Sequence, residues 1–232
     1  MNDRGSPGRA PGRGFPRRRF LRDSALLTGG AVTAGVAFPA NALAAGVAPE
    51  RVAAWLELLG PAAQDALDSY EPVALSPAEL ETFKAALARL IPADDLGPGA
   101  VEAGVFVFID RSLAGPNAAT LPLYQGGLAA LDAAAGSGGF AGLAAEMQDE
   151  LLTQAEANEL ADAPAGFFGL LLEHTRQGMF GDPIHGGNVA FAGWDLIGYP
   201  GVKLVWTAEE QAIGAVVAPE HASVAEFGGQ AS

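Results

Sequence analysis

Apolar residues recur at three- and four-residue steps along most of residues 51–175, the period of a helix with one buried face. The first stripe, over residues 51–70, is Val52, Leu56, Leu59, Ala63 and Leu67, with a break or kink at Gly60-Pro61. Ser76-Pro77-Ala78-Glu79 is a capping box with proline at the first helical position, so a helix begins there. Its stripe (Leu80, Phe83, Leu87, Leu90, Ile91) runs to Pro92, which ends it. Residues 92–99 form a loop. Residues 100–113 then place Val101, Val105, Phe108, Ile109 and Leu113 on one face, closed by Gly115-Pro116. β-Propensity alone would make 105–109 a strand, but period and length favour helix. Residues 121–134 and 143–160 read as two more helices (Leu121, Tyr124, Leu128, Leu131, then Leu143, Met147, Leu151) around a glycine-rich link at 136–139. Pro164 opens another, with Phe167, Phe168, Leu171, Leu172 and Thr175 inward and Gly178 just past its end. No segment sustains a strand alternation, so the fold class is all-α, an irregular multi-helix domain.

The period stops at residue 178. Residues 178–201, GMFGDPIHGGNVAFAGWDLIGYPG, hold seven glycines, two prolines and four aromatics. A loop this long is functional or disordered in a compact domain, and Phe180, Phe191, Trp194 and Tyr199 are residues that disordered segments lack. The expectation is an ordered, glycine-shaped loop. Pro200-Gly201 suits the centre of a type II turn, where φ is positive at the second position. Thr207-Ala208-Glu209-Glu210 is a second capping box, predicting a short helix to about Val217, and the tail 219–232 is expected to fray.

The net charge of −14 is unevenly placed. Residues 1–44 hold seven of the 13 Lys+Arg and two of the 27 Asp+Glu, so the remainder carries 6 against 25, a net of −19. Arg17-Arg18-Arg19-Phe20-Leu21-Arg22 precedes a weakly apolar run and Ala42-Leu43-Ala44, with Ala45 as the first mature residue. A basic region, a modest apolar region and small residues at the cleavage site define a signal peptide that, with a disordered front at 1–16, fills residues 1–44. An uncleaved membrane anchor is the alternative, against which Gly29, Gly30, Gly35 and Pro39 interrupt the apolar run. Arg17, Arg18, Phe20 and Leu21 resemble a twin-arginine export signal, with Pro16 where that pattern prefers Ser or Thr. The resulting organisation is a signal at 1–44, one helical domain at 45–218 and a tail. An acidic mature chain argues against nucleic-acid binding, and the absence of cysteine excludes disulfides, thiolate-ligated metal centres and c-type haem attachment in this chain.

Candidate chemistry is thin. Asp182, His185 and Asn188 could bring an acid, a base and an amide to one site, but each also fits a loop role: a turn start, a loop histidine, a cap. His174, His185 and His221 show no metal-ligand spacing. Asp94, Asp95, Glu102 and Asp110 read as one capping aspartate (Asp95) and a solvated face. Gly186-Gly187 is too short for a phosphate cradle, and G-x-S-x-G is absent. An accessory subunit, a free-standing binding module and an enzyme using Asp182 and His185 remain open at this point, with the lack of a cofactor or catalytic constellation favouring the first.

Two stretches carry a resemblance. Ile91-Pro92-Ala93-Asp94-Asp95, residues 99–104 and Phe108-Ile109-Asp110 form the first. Residues 178–183, Gly186-Gly187-Asn188, Gly193-Trp194 and residues 198–201 form the second, more specific one. Together, over roughly 75–205, they resemble subunit 3 of gluconate 2-dehydrogenase, the small subunit of membrane-associated FAD-dependent sugar and polyol dehydrogenases. His185 stands where that family more often has Tyr. The resemblance implies a cofactor-free chain that pairs with a large FAD-containing subunit of the glucose–methanol–choline type. It implies co-export of that subunit to the periplasm through the twin-arginine translocase, and a multihaem cytochrome c as third subunit. It makes the loop a candidate docking face, with Arg176, Phe180, Asp182, His185, Asn188, Trp194 and Tyr199 as candidate contacts, Trp, Tyr and Arg being the usual anchors of interfaces. The same aromatics could instead close the chain's own core.

Overall fold

The computed structural model describes residues 63, 65–94 and 96–227. The export residues Arg17, Arg18, Phe20 and Leu21, the cleavage residues Ala42, Ala44 and Ala45, the front of the first stripe and Asp95 lie outside them. Within them residues 63 and 65–68 are helical, in the expected first stripe, and the further helices are α1 (Pro77–Leu90), α2 (Val105–Leu113), α3 (Leu121–Ala135), α4 (Ala145–Glu156), α5 (Phe167–Phe180) and the short α6 (Ala192–Ile197). The described residues contain no strand, one isolated bridge between Asp94 and Gly97 aside. The fold is all-α.

Helix α1 starts where the capping box sets it. Ser76 Oγ accepts from the Glu79 N–H, and the Glu79 carboxylate accepts from the Ser76 N–H at 2.7 Å. Its inward stripe, Leu80, Phe83, Leu87 and Leu90, is buried with Ile91 against α2, α3 and α4. Tyr124 of α3 lies at the centre, edge-on to Phe83 (5.8 Å) and Phe167 (6.2 Å). Its hydroxyl shares a 3.1 Å hydrogen bond with His174 Nδ1 of α5. Burial pushes the Tyr124 phenol up, reinforced by the Glu173 charge. Burial also pushes the His174 imidazole down, against the pull of Glu173. Both shifts favour the neutral forms, so the pair stays uncharged at neutral pH.

Several boundaries differ from the sequence expectation, each for a physical reason. Helix α2 starts at Val105, not 100, because Gly104 caps it in the left-handed conformation (φ 69°) and residues 100–104 turn. Likewise α5 starts at Phe167 after a left-handed Gly166, three residues beyond Pro164. Gly178 is not past the end of α5 but buried inside it. A Cβ there would stand 2.8 Å from Phe108 and 2.9 Å from Val105, so glycine is what lets α5 cross α2 closely. On α4 the apolar stripe misread the face: Met147 is exposed, while Gln148 and Asp149 turn inward with Leu151 and Leu152. Both polar groups are satisfied, Gln148 donating to the Phe140 carbonyl and Asp149 receiving a two-point fork from Arg89 of α1 at 2.7 and 2.8 Å.

Asp110 departs furthest from expectation. Read as part of a solvated face, it is fully buried on α2. Its carboxylate accepts from Tyr70 Oη (2.7 Å) and from the backbone N–H groups of Val73 (2.6 Å), Ala74 (3.1 Å) and Leu75 (2.8 Å). It thereby gathers the whole segment that leads into α1. Asp110→Asn turns an amide N–H₂ toward these donors and is expected to lower stability by about 3 kcal/mol in urea unfolding, with Tyr70→Phe costing about 1 kcal/mol.

Candidate functional site

Helix α5 ends at Phe180, and the chain then folds back over its last turn. Two 3₁₀ turns, Pro183–His185 and Val189–Phe191, and α6 shape the stretch in which the sequence shows no sustained period. The loop is ordered, as expected, but more regular. The fold-back depends on contact between backbones. Gly193 lies so close to α5 that a Cβ there would stand 1.7 Å from the Met179 carbonyl oxygen. Only glycine fits.

Asn188 locks this arrangement. It is fully buried and left-handed (φ 49°), a conformation that Asn tolerates better than most residues. Its Nδ2 donates to the Gly181 carbonyl at 2.8 Å and its Oδ1 accepts from the Gly193 N–H at 2.7 Å. The adjacent Val189 N–H donates to the Ala103 carbonyl, tying the loop to the turn before α2. Trp194 is buried and donates from Nε1 to the Phe180 carbonyl at 2.9 Å. It meets Phe191 at 5.4 Å and, edge-on, Tyr199 at 4.8 Å.

The C-terminal segment closes the loop from outside. Gly201 has the positive φ (102°) expected of it, but the Val202 N–H donates to the Ala222 carbonyl, and the Glu220 N–H to the Pro200 carbonyl. His221 stacks on Phe191 at 5.0 Å and bonds Asp195 at 2.7 Å. Asp182 accepts from Ile184 N–H (3.0 Å), Ser223 Oγ (2.6 Å) and Val224 N–H (2.9 Å). Partial burial alone would raise the Asp182 carboxyl. The hydrogen bonds from Ser223, Ile184 and Val224, with the nearby His185, outweigh it and hold the group below its ordinary range. Residues 219–227 are therefore strapped to the loop where fraying was expected. The signal for this was present but unread: Ser223-Val224-Ala225-Glu226 is itself a capping box, and it forms.

The structure thus distributes the seven candidate contacts unequally. Asn188 and Trp194 are buried and committed to the loop's own shape, and Asp182 to the strap. Arg176 and Phe180 are half-buried and, with Phe108, Pro116 and His185, border an open, largely apolar hollow of about 660 Å³. Burial lowers the Arg176 guanidinium from its usual value, partly offset by Glu173. His185 and Tyr199 are exposed, beside exposed Ile184 and Ile197. Asp182, His185 and Asn188 are not assembled as a proton-transfer group, since the first and last spend their polar atoms on the backbone and on Ser223. No group of three or more His, Asp or Glu suited to a metal ion occurs among the described residues, and no helix among them is long and apolar enough to cross a membrane.

Asn188→Ala removes both bridges and strains the left-handed backbone, lowering stability by about 2 kcal/mol in urea unfolding, whereas Asn188→Gly recovers the strain alone. Asp182→Ala frees the strap, seen as faster amide exchange at Val224 with the core little changed. Because the folded carboxyl lies below its ordinary 3.8, the strap's contribution is complete above that pH and is lost as pH falls through the lower folded value. The protection of the Val224 amide in the native chain, measured relative to a free amide at the same pH, should fall in that same acid window.

No curated protein and no solved structure matches the chain. The family model for gluconate 2-dehydrogenase subunit 3 matches residues 77–201, from the first residue of α1 to the glycine that turns the chain after α6. The glycine approaches at Gly178 and Gly193 and the Asn188 bridges fall within that span, which covers more than half of the chain. The chain belongs to the gluconate 2-dehydrogenase subunit 3 family.

Proposed function

We propose that this chain is the non-catalytic small subunit of a membrane-associated, FAD-dependent dehydrogenase acting on gluconate, another sugar or a polyol. Family membership over residues 77–201 carries the reading, because that family is a subunit of a dehydrogenase complex. The partner is a large flavoprotein of the glucose–methanol–choline type, which holds the FAD and performs the oxidation. This chain matures it and carries it to the periplasm through the twin-arginine translocase, using Arg17, Arg18, Phe20 and Leu21. A multihaem cytochrome c then takes the electrons.

The loop at the end of α5 supports a docking role. Asp182, Asn188, Trp194 and Asp195 spend their polar atoms on fixing its shape, so its exposed edge (Ile184, His185, Ile197, Tyr199) and the hollow by Arg176 and Phe180 present a fixed, mainly apolar relief. A preformed surface of this kind loses little freedom on association.

The large subunit, expressed with and without this chain, tests the reading. Export and FAD content of the large subunit should require the chain, and Arg17→Lys with Arg18→Lys should retain both proteins in the cytoplasm. Equal export and equal flavin loading in its absence would overturn the proposal.

A further inference from the structure

Beyond residue 201 the chain leaves the family match and runs out as an arm, residues 202–218, before the strap begins. The arm carries the most exposed large apolar side chains of the described residues. Leu204 and Val205 are 73% and 77% exposed, and Ile213 and Val216 are wholly in solvent. A sequence that folds only on itself would not leave four branched aliphatic residues bare within 13 positions.

The arm is also a helix that has begun and stopped. The capping box read from the sequence forms: the Thr207 N–H donates to Glu210 Oε2 at 3.0 Å, and Thr207 Oγ1 accepts from the Glu210 N–H at 3.3 Å. One helical turn closes behind it, with the Gln211 N–H on the Thr207 carbonyl at 3.2 Å. The expected helix to Val217 is nevertheless absent, because Gly214 turns left-handed (φ 83°) and the turns end there. Nothing lies within 4 Å of a Cβ at Gly214, so no packing requires that conformation. Continued as a helix, residues 207–217 would align Ile213, Val216 and Val217 on one face, at the i, i+3, i+4 spacing that fills an apolar groove.

Charge selects the occupant. Residues 202–227 carry Glu209, Glu210, Glu220 and Glu226 against Lys203 alone. Lys203 is itself held between Glu210 at 2.6 Å and Glu220 at 2.5 Å. An anionic bilayer and a second copy of this acidic chain both repel such a segment, whereas a groove rimmed by Lys and Arg attracts it. We infer that residues 207–217 complete a helix on docking into a basic-rimmed apolar groove of the large dehydrogenase subunit, as a second contact beside the loop. The inference rests on the subunit reading above.

The test measures binding of the full chain to the large subunit. Ile213→Asp with Val216→Asp should weaken the complex at least tenfold, while Met147→Asp, on the exposed face of α4, leaves it unchanged. Gly214→Ala gives the decisive sign. A helix formed on docking binds roughly three- to fivefold more tightly once its interior glycine is replaced, and amide exchange over 208–217 slows in the complex. A complex indifferent both to the double Asp variant and to Gly214→Ala, or weakened by Gly214→Ala, overturns this inference alone. Capture of the native chain by phosphatidylcholine–phosphatidylglycerol vesicles, or its self-association, lost in the double Asp variant, also overturns it. If the native chain and the large subunit form no complex, the subunit reading fails and this inference falls with it.

Discussion

The backbone of residues 187–193 lies directly on the last turn of α5, and the rest of the site is built on that contact. Two main chains can approach this closely only where no side chain stands between them and where the displaced polar groups find partners. Gly193 supplies the first condition and Asn188 the second, its amide spanning Gly181 and Gly193. With the backbone so placed, Trp194 reaches the Phe180 carbonyl, α6 follows, and Phe191 offers the ring on which His221 stacks. The strap then has a surface to close on. Remove the backbone contact and each later layer loses its support.

The core that carries this site is held by a different logic. Its polar groups are few, buried and matched: Asp110 with four donors, Arg89 with Asp149, Tyr124 with His174. Such groups contribute modestly when paired and cost heavily when one partner is removed. They fix which helix faces which, while the apolar stripes supply most of the driving force.

The helices were legible because their buried faces are mostly apolar and the start of α1 is marked by Ser76, whereas the left-handed glycines that start α2 and α5 carry no such side-chain signal. Misreadings arose where a polar residue took an inward position. Gln148 and Asp149 hide the true face of α4, and Asp110 looks like a surface acid until its donors, 35 to 40 residues earlier, are seen. Periodicity reports hydropathy and not partnership, so a satisfied buried acid is invisible to it. The family of the site could be read from its glycines, Asn188 and Trp194. The commitment of Asn188 and Trp194 to the loop itself could not, because the same residue types serve interfaces and interiors alike. The strap was missed for a simpler reason: its residues are small and polar, and only the second capping partner at Glu226 gives it away.

The empty space demanded at Gly193 also bears on how this face is to be mapped. A residue-by-residue alanine scan assumes that truncation subtracts contacts, yet here it adds an atom inside a neighbouring carbonyl. The scan would score position 193 among the strongest determinants of association although the residue is buried against α5. Scores from this end of the protein therefore acquire meaning only after division by each variant's own folded fraction.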